Sequence, residues 1–258
     1  AFDPMYLIRV MPAEGKDPFN LCNHLRQRRW FFMCAQPKRA LIFVNGSLPD
    51  PEKVRFLLEP DDWLVAVDGG WYYLKALGLR PHLLIGDLDS VAAEDVAVLE
   101  AQGVEIRRFP VHKDETDLEL ALLAVRAAGV TTLRVAAALG GRLDQTLANL
   151  FLLLLPELED CDVRLDDGQE EVFLIRERAE IHGQPGDGVS LLPILGPARG
   201  VTTAQLAYPL RGETLFPQRT RGISNVMEST SASVSVQHGV LLCIHTRKSQ
   251  SDSHQELE

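Results

Sequence analysis

His82-Leu83-Leu84-Ile85-Gly86-Asp87-Leu88-Asp89-Ser90 decides the fold. A short, wholly apolar run is a buried strand when turn residues bound it, and here the run stops at a glycine and two carboxylates. Val91 to Gln102 follows with a helical period, with Ser90 as its expected N-cap and Glu94 and Asp95 in its first turn. A buried strand feeding a helix through an acidic loop is the repeating unit of a parallel sheet.

The unit recurs on both sides. Upstream, Leu41 to Val44 leads to Asn45-Gly46 and a helix over 51–58, and Trp63 to Val67 leads to Asp68-Gly69-Gly70 and a helix ending at Gly78. Downstream, Val104 to Phe109 precedes Thr116-Asp117-Leu118-Glu119, which fits a capping box, and Leu118, Ala121, Leu122 and Val125 form one apolar face closed by Gly129. Leu133 to Leu139 runs into Gly140-Gly141-Arg142-Leu143-Asp144-Gln145 and a helix that Pro156 ends. After Cys161 the pattern changes to strand-like runs between turns, with strict alternation over Ser231 to Val236. The expected architecture is α/β plus all-β: a doubly wound parallel-sheet (Rossmann-like) domain over 38–158, then a β-sandwich domain over 159–247. Residues 1–37 lack a sustained period and read either as an upstream extension of a chain starting at Met33 or as an extra helix. Residues 248–258 read as a frayed polar tail.

Composition narrows the function. Among 258 residues, Lys plus Arg is 26 and Asp plus Glu is 36, for a net charge of −10. That balance argues against a broad nucleic-acid or membrane-surface face. No apolar run exceeds six residues, far short of a membrane span. The four cysteines, Cys22, Cys34, Cys161 and Cys243, have no metal or redox spacing and read as free thiols of a cytoplasmic protein.

In an open α/β sheet, ligands bind at the carboxyl ends of the strands. Those ends carry Asp68, then Asp87 and Asp89, then Lys113, Asp114, Thr116 and Asp117, then Arg142 and Asp144. Taken singly, each has an ordinary explanation as a turn, a helix cap or a solvated charge. Together the carboxylates repel and are driven towards protonation unless a cation joins them. Mg²⁺ takes oxygen ligands and bridges to phosphate, Lys113 and Arg142 suit phosphate oxygens, and helix N-termini add donors. The set reads as a site for Mg²⁺ and a nucleotide polyphosphate, without the Walker spacing of a P-loop.

Asp68-Gly69-Gly70, Gly86-Asp87-Leu88-Asp89-Ser90, Lys113-Asp114-Glu115-Thr116-Asp117 and Gly140 to Gln145, in this order, resemble the signature blocks of the thiamine pyrophosphokinase (thiamine diphosphokinase) family. Tyr208-Pro209-Leu210 and Gly222-Ile223-Ser224-Asn225 resemble its thiamine-binding segments, with Tyr208 where some members carry Trp. The resemblance implies transfer of pyrophosphate from ATP to the hydroxyethyl group of thiamine, leaving AMP. It implies Mg²⁺ on Asp87, Asp89 and Asp117. It puts Asp68, Gly69, Gly70, Lys113, Asp114, Thr116, Arg142 and Asp144 at ATP, and Tyr208, Ser224 and Asn225 at thiamine. Asp68, Asp87, Asp89, Asp114, Asp117 and Arg142 would carry the chemistry, with Asp68 or Asp114 accepting the hydroxyl proton. It also implies a homodimer with thiamine at the subunit interface. Competing readings are transfer to another alcohol such as a pterin, an Asp-x-Asp phosphohydrolase, and a nucleotide sensor without turnover.

Overall fold

The computed structural model describes residues 38–248. The readings made for residues 1–37 and for 249–258 lie outside that span.

The first half alternates as expected. Strands β1 (Arg39–Phe43), β2 (Trp63–Val67), β3 (Leu83–Gly86), β4 (Glu105–Arg108) and β5 (Thr132–Ala136) are interleaved with helices α1 (Trp71–Ala76), α2 (Ala93–Ala101), α3 (Asp117–Ala127) and α4 (Leu143–Leu152). The segment after β1 is a 3-10 helix, Pro51–Leu57, started by the Asp50 carboxylate accepting the Glu52 N–H. In α3 the expected cap forms: Thr116 Oγ1 accepts the Glu119 N–H, and Leu118, Ala121, Leu122 and Val125 are buried. In α2 the cap differs from the sequence reading. The helix starts at Ala93 without a side-chain cap, because the Ser90 hydroxyl accepts the Gly69 N–H at 2.9 Å instead.

One ten-stranded sheet runs through the described chain in the order β12-β9-β14-β7-β6-β5-β1-β2-β3-β4. Strand β6 (Asp162–Asp166) pairs parallel with β5 and antiparallel with β7 (Glu170–Ile175), so it is the strand at which the sheet changes direction. Beyond it lie β14 (Leu241–Thr246), β9 (Gly188–Pro193) and the two-residue β12 (Asn225–Val226). A second, antiparallel sheet is ordered β11-β10-β13-β8, from β8 (Arg178–His182), β10 (Ala198–Ala204), β11 (Arg211–Leu215) and β13 (Ser231–Ser235). Strands β8 and β11 were not read from the sequence: with sequences RAEIH and RGETL they carry few apolar residues.

The period-two rule shows how a shared sheet serves two cores. On β7 and β14, Val172 and Leu242 belong to the α/β core, while their neighbours Phe173, Leu241 and Cys243 belong to the sandwich core with Ile181, Val201 and Val234. A β-sandwich thus follows the parallel α/β half and is built partly on the same sheet. In the α/β core, Leu133 on β5 is fully buried. Leu133→Ala is expected to lower stability by about 3 kcal/mol through lost burial and a residual cavity, read by urea denaturation.

Candidate active site

Strand order locates the site. The chain moves outward from β1 to β2, β3 and β4, then returns to place β5 on the other side of β1. At such a reversal the loops leaving neighbouring strands diverge and open a crevice. A crevice of about 460 Å³ lies there, bounded by Asn45, Gly46 and Ser47 after β1, Asp68 after β2, Thr116 and Asp117 at the start of α3, and Gly140, Gly141 and Arg142 before α4. Gly70, just after β2, permits the tight approach of these loops: a Cβ there would meet the Phe43 carbonyl oxygen at 2.0 Å.

Asp68, Asp87 and Asp117 converge, with one carboxylate oxygen from each lying within 4.8 Å of the others, and all three are half-buried. Local backbone makes this possible. Asp68 and Leu88 have φ of 47° and 64°, a left-handed conformation that is costly for residues other than glycine. The Leu88 N–H donates to Asp68 Oδ1 at 3.0 Å. Gly86 is a requirement of the same contact, because a Cβ there would lie 1.9 Å from that oxygen. The Lys113 ammonium pairs with Asp117 at 2.9 Å. The Asp68 carboxyl is pushed up to about 7, first by burial and then by the negative charge of Asp117 and Asp87, against the lowering effect of the Leu88 N–H.

Asp89 is exposed and stands outside this group of three, although its N–H donates to Asp87 Oδ1 at 3.1 Å. Asp68 takes a place in the group beside Asp87 and Asp117. The all-oxygen set suits a hard cation such as Mg²⁺, and the raised Asp68 pKa records the unfavourable charge that such an ion would offset. Asp114 is exposed. Arg142 sits at the mouth of the crevice with Asp144, both exposed and paired at 2.6 Å.

Gly69, of the Asp-Gly-Gly turn, is buried beside Asn45 and anchored by Ser90. Asn45, Ser47, Gln145 and Asn149 line the crevice and were not among the expected site residues. Asn45 and Ser47 follow the first strand, and only the strand order reveals that β1 is central.

The residues expected at thiamine are in the second half, and none of them borders this crevice. Tyr208 is 61% exposed. Asn225 is buried, and its amide is engaged by backbone: Oδ1 accepts the Tyr208 and Val226 N–H groups, and Nδ2 donates to the Tyr208 carbonyl at 2.7 Å. Asn225 therefore fixes the loop that presents Tyr208. Ser224 has φ of 58°, and its N–H donates to Ser190 Oγ at 3.1 Å.

Known proteins share this fold. Family models described as "Thiamin pyrophosphokinase, catalytic domain" and "Thiamin pyrophosphokinase, vitamin B1 binding domain" match residues 54–165 and 175–241. The thiamine pyrophosphokinase of Bacillus subtilis (strain 168) is 25% identical over 185 residues, spanning 70% of this chain and 86% of the relative. The crystal structure of thiamine pyrophosphokinase from Bacillus subtilis superposes with a TM-score of 0.74 at 23% identity, covering 82% of this chain and 100% of that one. The corresponding enzyme from Geobacillus thermodenitrificans gives a TM-score of 0.70 at 28% identity, covering 82% and 99%. With both of the family's domains matched in order, and with related proteins of the same name sharing the fold, the chain belongs to the thiamine pyrophosphokinase family.

Proposed function

We propose that the protein transfers the pyrophosphoryl group of ATP to the hydroxyethyl oxygen of thiamine, giving thiamine diphosphate and AMP. The observation that carries this reading is the convergence of Asp87 with Asp68 and Asp117, two residues that line the crevice at the sheet reversal. Family membership supplies the acceptor.

In this reading Asp87 and Asp117, with Asp68 beside them, hold Mg²⁺. Asp89, exposed on the same loop, supports Asp87 through its N–H. A bound Mg²⁺ would neutralise charge on the phosphate oxygens. Gly69, Gly70 and Thr116 shape the nucleotide site, and the α3 N-terminus points partial positive charge at an anion. Arg142 adds a planar guanidinium for phosphoryl oxygens, with Asp144 orienting it until phosphate competes. Lys113 sets the local charge through Asp117. Asp68 or Asp114 takes the proton from the attacking hydroxyl. The charge of a loose phosphoryl-transfer transition state lies on its oxygens, so positioning and electrostatics supply most of the rate.

Thiamine is a flat cation and suits an exposed aromatic ring, and we assign it to Tyr208 with the Ser224-Asn225 turn. The crevice is lined by the α/β half alone, so the reading includes a homodimer in which the sandwich of one subunit faces the crevice of the other. Exposed Leu143, Leu147 and Phe151 on α4 provide apolar surface for such a contact. A cytoplasmic location accords with the free Cys161 and Cys243, and no described helix is long and apolar enough to cross a membrane.

Incubation with ATP, Mg²⁺ and thiamine is expected to yield AMP and a thiamine adduct heavier by two phosphoryl units, read by mass spectrometry. Inorganic phosphate without AMP would defeat the assignment. Asp87→Asn and Asp117→Asn are each expected to lower kcat by ~10²-fold or more, and Asp89→Asn by about tenfold. A pH dependence follows from Asp68, whose folded pKa lies above its ordinary value. Its contribution to the stability of the metal-free protein is full below about 4 and is lost as pH rises through about 7. A cation can replace the proton. Mg²⁺ is therefore expected to raise Tm more at pH 8 than at pH 6, and an equal or opposite effect would contradict the assigned site.

A further inference from the structure

The sheet carries a row of alternating charges away from the crevice. Arg134 on β5 pairs with Asp162 at 2.9 Å, Asp162 with Arg164 on β6 at 2.9 Å, and Arg164 with Glu171 on β7 at 3.0 Å. Glu171 then faces His245 on β14 at 3.5 Å from Nδ1, and His245 Nε2 lies 3.0 Å from Asp187 Oδ2. The His245 side chain is fully buried, with a carboxylate opposite each ring nitrogen. Nε2 hydrogen-bonds Asp187, whereas Nδ1 makes no hydrogen bond at its 3.5 Å spacing and meets Glu171 as an opposing charge, an arrangement that favours the doubly protonated ring. Burial opposes that charge, but Glu171 and Asp187 outweigh it and raise the His245 pKa, with Arg247 acting in the opposite direction. The Glu171 carboxyl is lowered to about 2 despite its burial, through His245 and Arg164.

Asp187 connects this row to the segment assigned to thiamine. Its Oδ2 accepts the Gln184 N–H and its Oδ1 the Lys248 N–H. Its carbonyl accepts the Met227 N–H at 2.8 Å, and the Gly186 N–H donates to the Met227 carbonyl at 2.8 Å. Met227 directly follows β12, whose Asn225 clamps the backbone of Tyr208. No step of the proposed reaction uses His245 or Asp187.

We propose that His245, held between Glu171 and Asp187, is a positioning residue for the acceptor: it locks the 184–187 turn, and through Met227 and Asn225 it sets the place of Tyr208. The inference deepens the thiamine reading of that segment and rests on it.

The test uses the full chain and treats the two substrates separately. His245→Gln keeps a polar side chain but cannot carry charge. It is expected to raise KM for thiamine about tenfold, while KM for ATP stays within about twofold. In the wild type, KM for thiamine should rise as alkaline pH removes the His245 proton, and the rise should be absent in the variant. The ¹⁵N shifts of labelled histidine read that proton in the wild type, which keeps the test open if the variant does not fold. Amide exchange at Met227 and Gly186, taken relative to the intrinsic base-catalysed rate at each pH, reports the clamp without any substrate: it should speed up about tenfold in the variant, or in the wild type as His245 deprotonates. Unchanged exchange, or a thiamine KM that ignores the charge of His245, would overturn the proposal. Failure of the wild type to use thiamine at all, with exchange still coupled to His245, would instead defeat the functional reading and leave the clamp standing.

Discussion

Mutual repulsion among Asp68, Asp87 and Asp117 is the constraint around which the α/β half is arranged. Carboxylate oxygens within 4.8 Å of one another in a half-buried crevice do not share a site without cost. The chain meets that cost locally. Asp68 and Leu88 adopt left-handed backbone, Gly86 leaves room for the Asp68 carboxylate, and the Leu88 N–H and Lys113 ammonium offer partial compensation. Left-handed backbone at residues other than glycine is costly and persists only where surrounding contacts hold it.

The continuous sheet gives that site a rigid base and ties it to the rest of the molecule. Parallel strands β1 to β5 place their carboxyl ends at one edge, and the reversal beside β1 opens the crevice. From β6 onward the same sheet becomes antiparallel, and its alternate faces serve the α/β core and the sandwich core. The loop that presents Tyr208 is held by Asn225, which is itself fixed beside β9. The crevice and the Tyr208 loop thus stand on one hydrogen-bonded framework within each chain.

Family membership and structure bear on different questions. Membership supplies the acceptor and the overall reaction of the class. The structure supplies which carboxylates come together, which amides are already engaged and where charge continues away from the crevice. Asn225 illustrates the difference. A thiamine-segment motif draws attention to it as a ligand contact, yet its amide is engaged by the backbone of Tyr208 and Val226, so its first role is architectural.

Local chemistry made much of this legible from the sequence. Apolar runs ending in Asp68-Gly69-Gly70 and Gly86-Asp87 marked the parallel strands and their acidic loops, and the α3 cap at Thr116 followed from a spacing of three residues. Strands β8 and β11 were obscured because polar residues dominate them, so their apolar signal is thin. What only tertiary structure decided involves partners distant in sequence. Ser90 bonds Gly69 rather than capping its own helix, β6 joins the parallel sheet, Asp68 stands with Asp87 and Asp117 while Asp89 faces solvent, and Asn45 and Ser47 border the crevice. The physical reason is that periodicity and capping act over a few residues, whereas strand order and side-chain convergence are set by which surfaces bury one another, and neighbouring residues do not encode that choice.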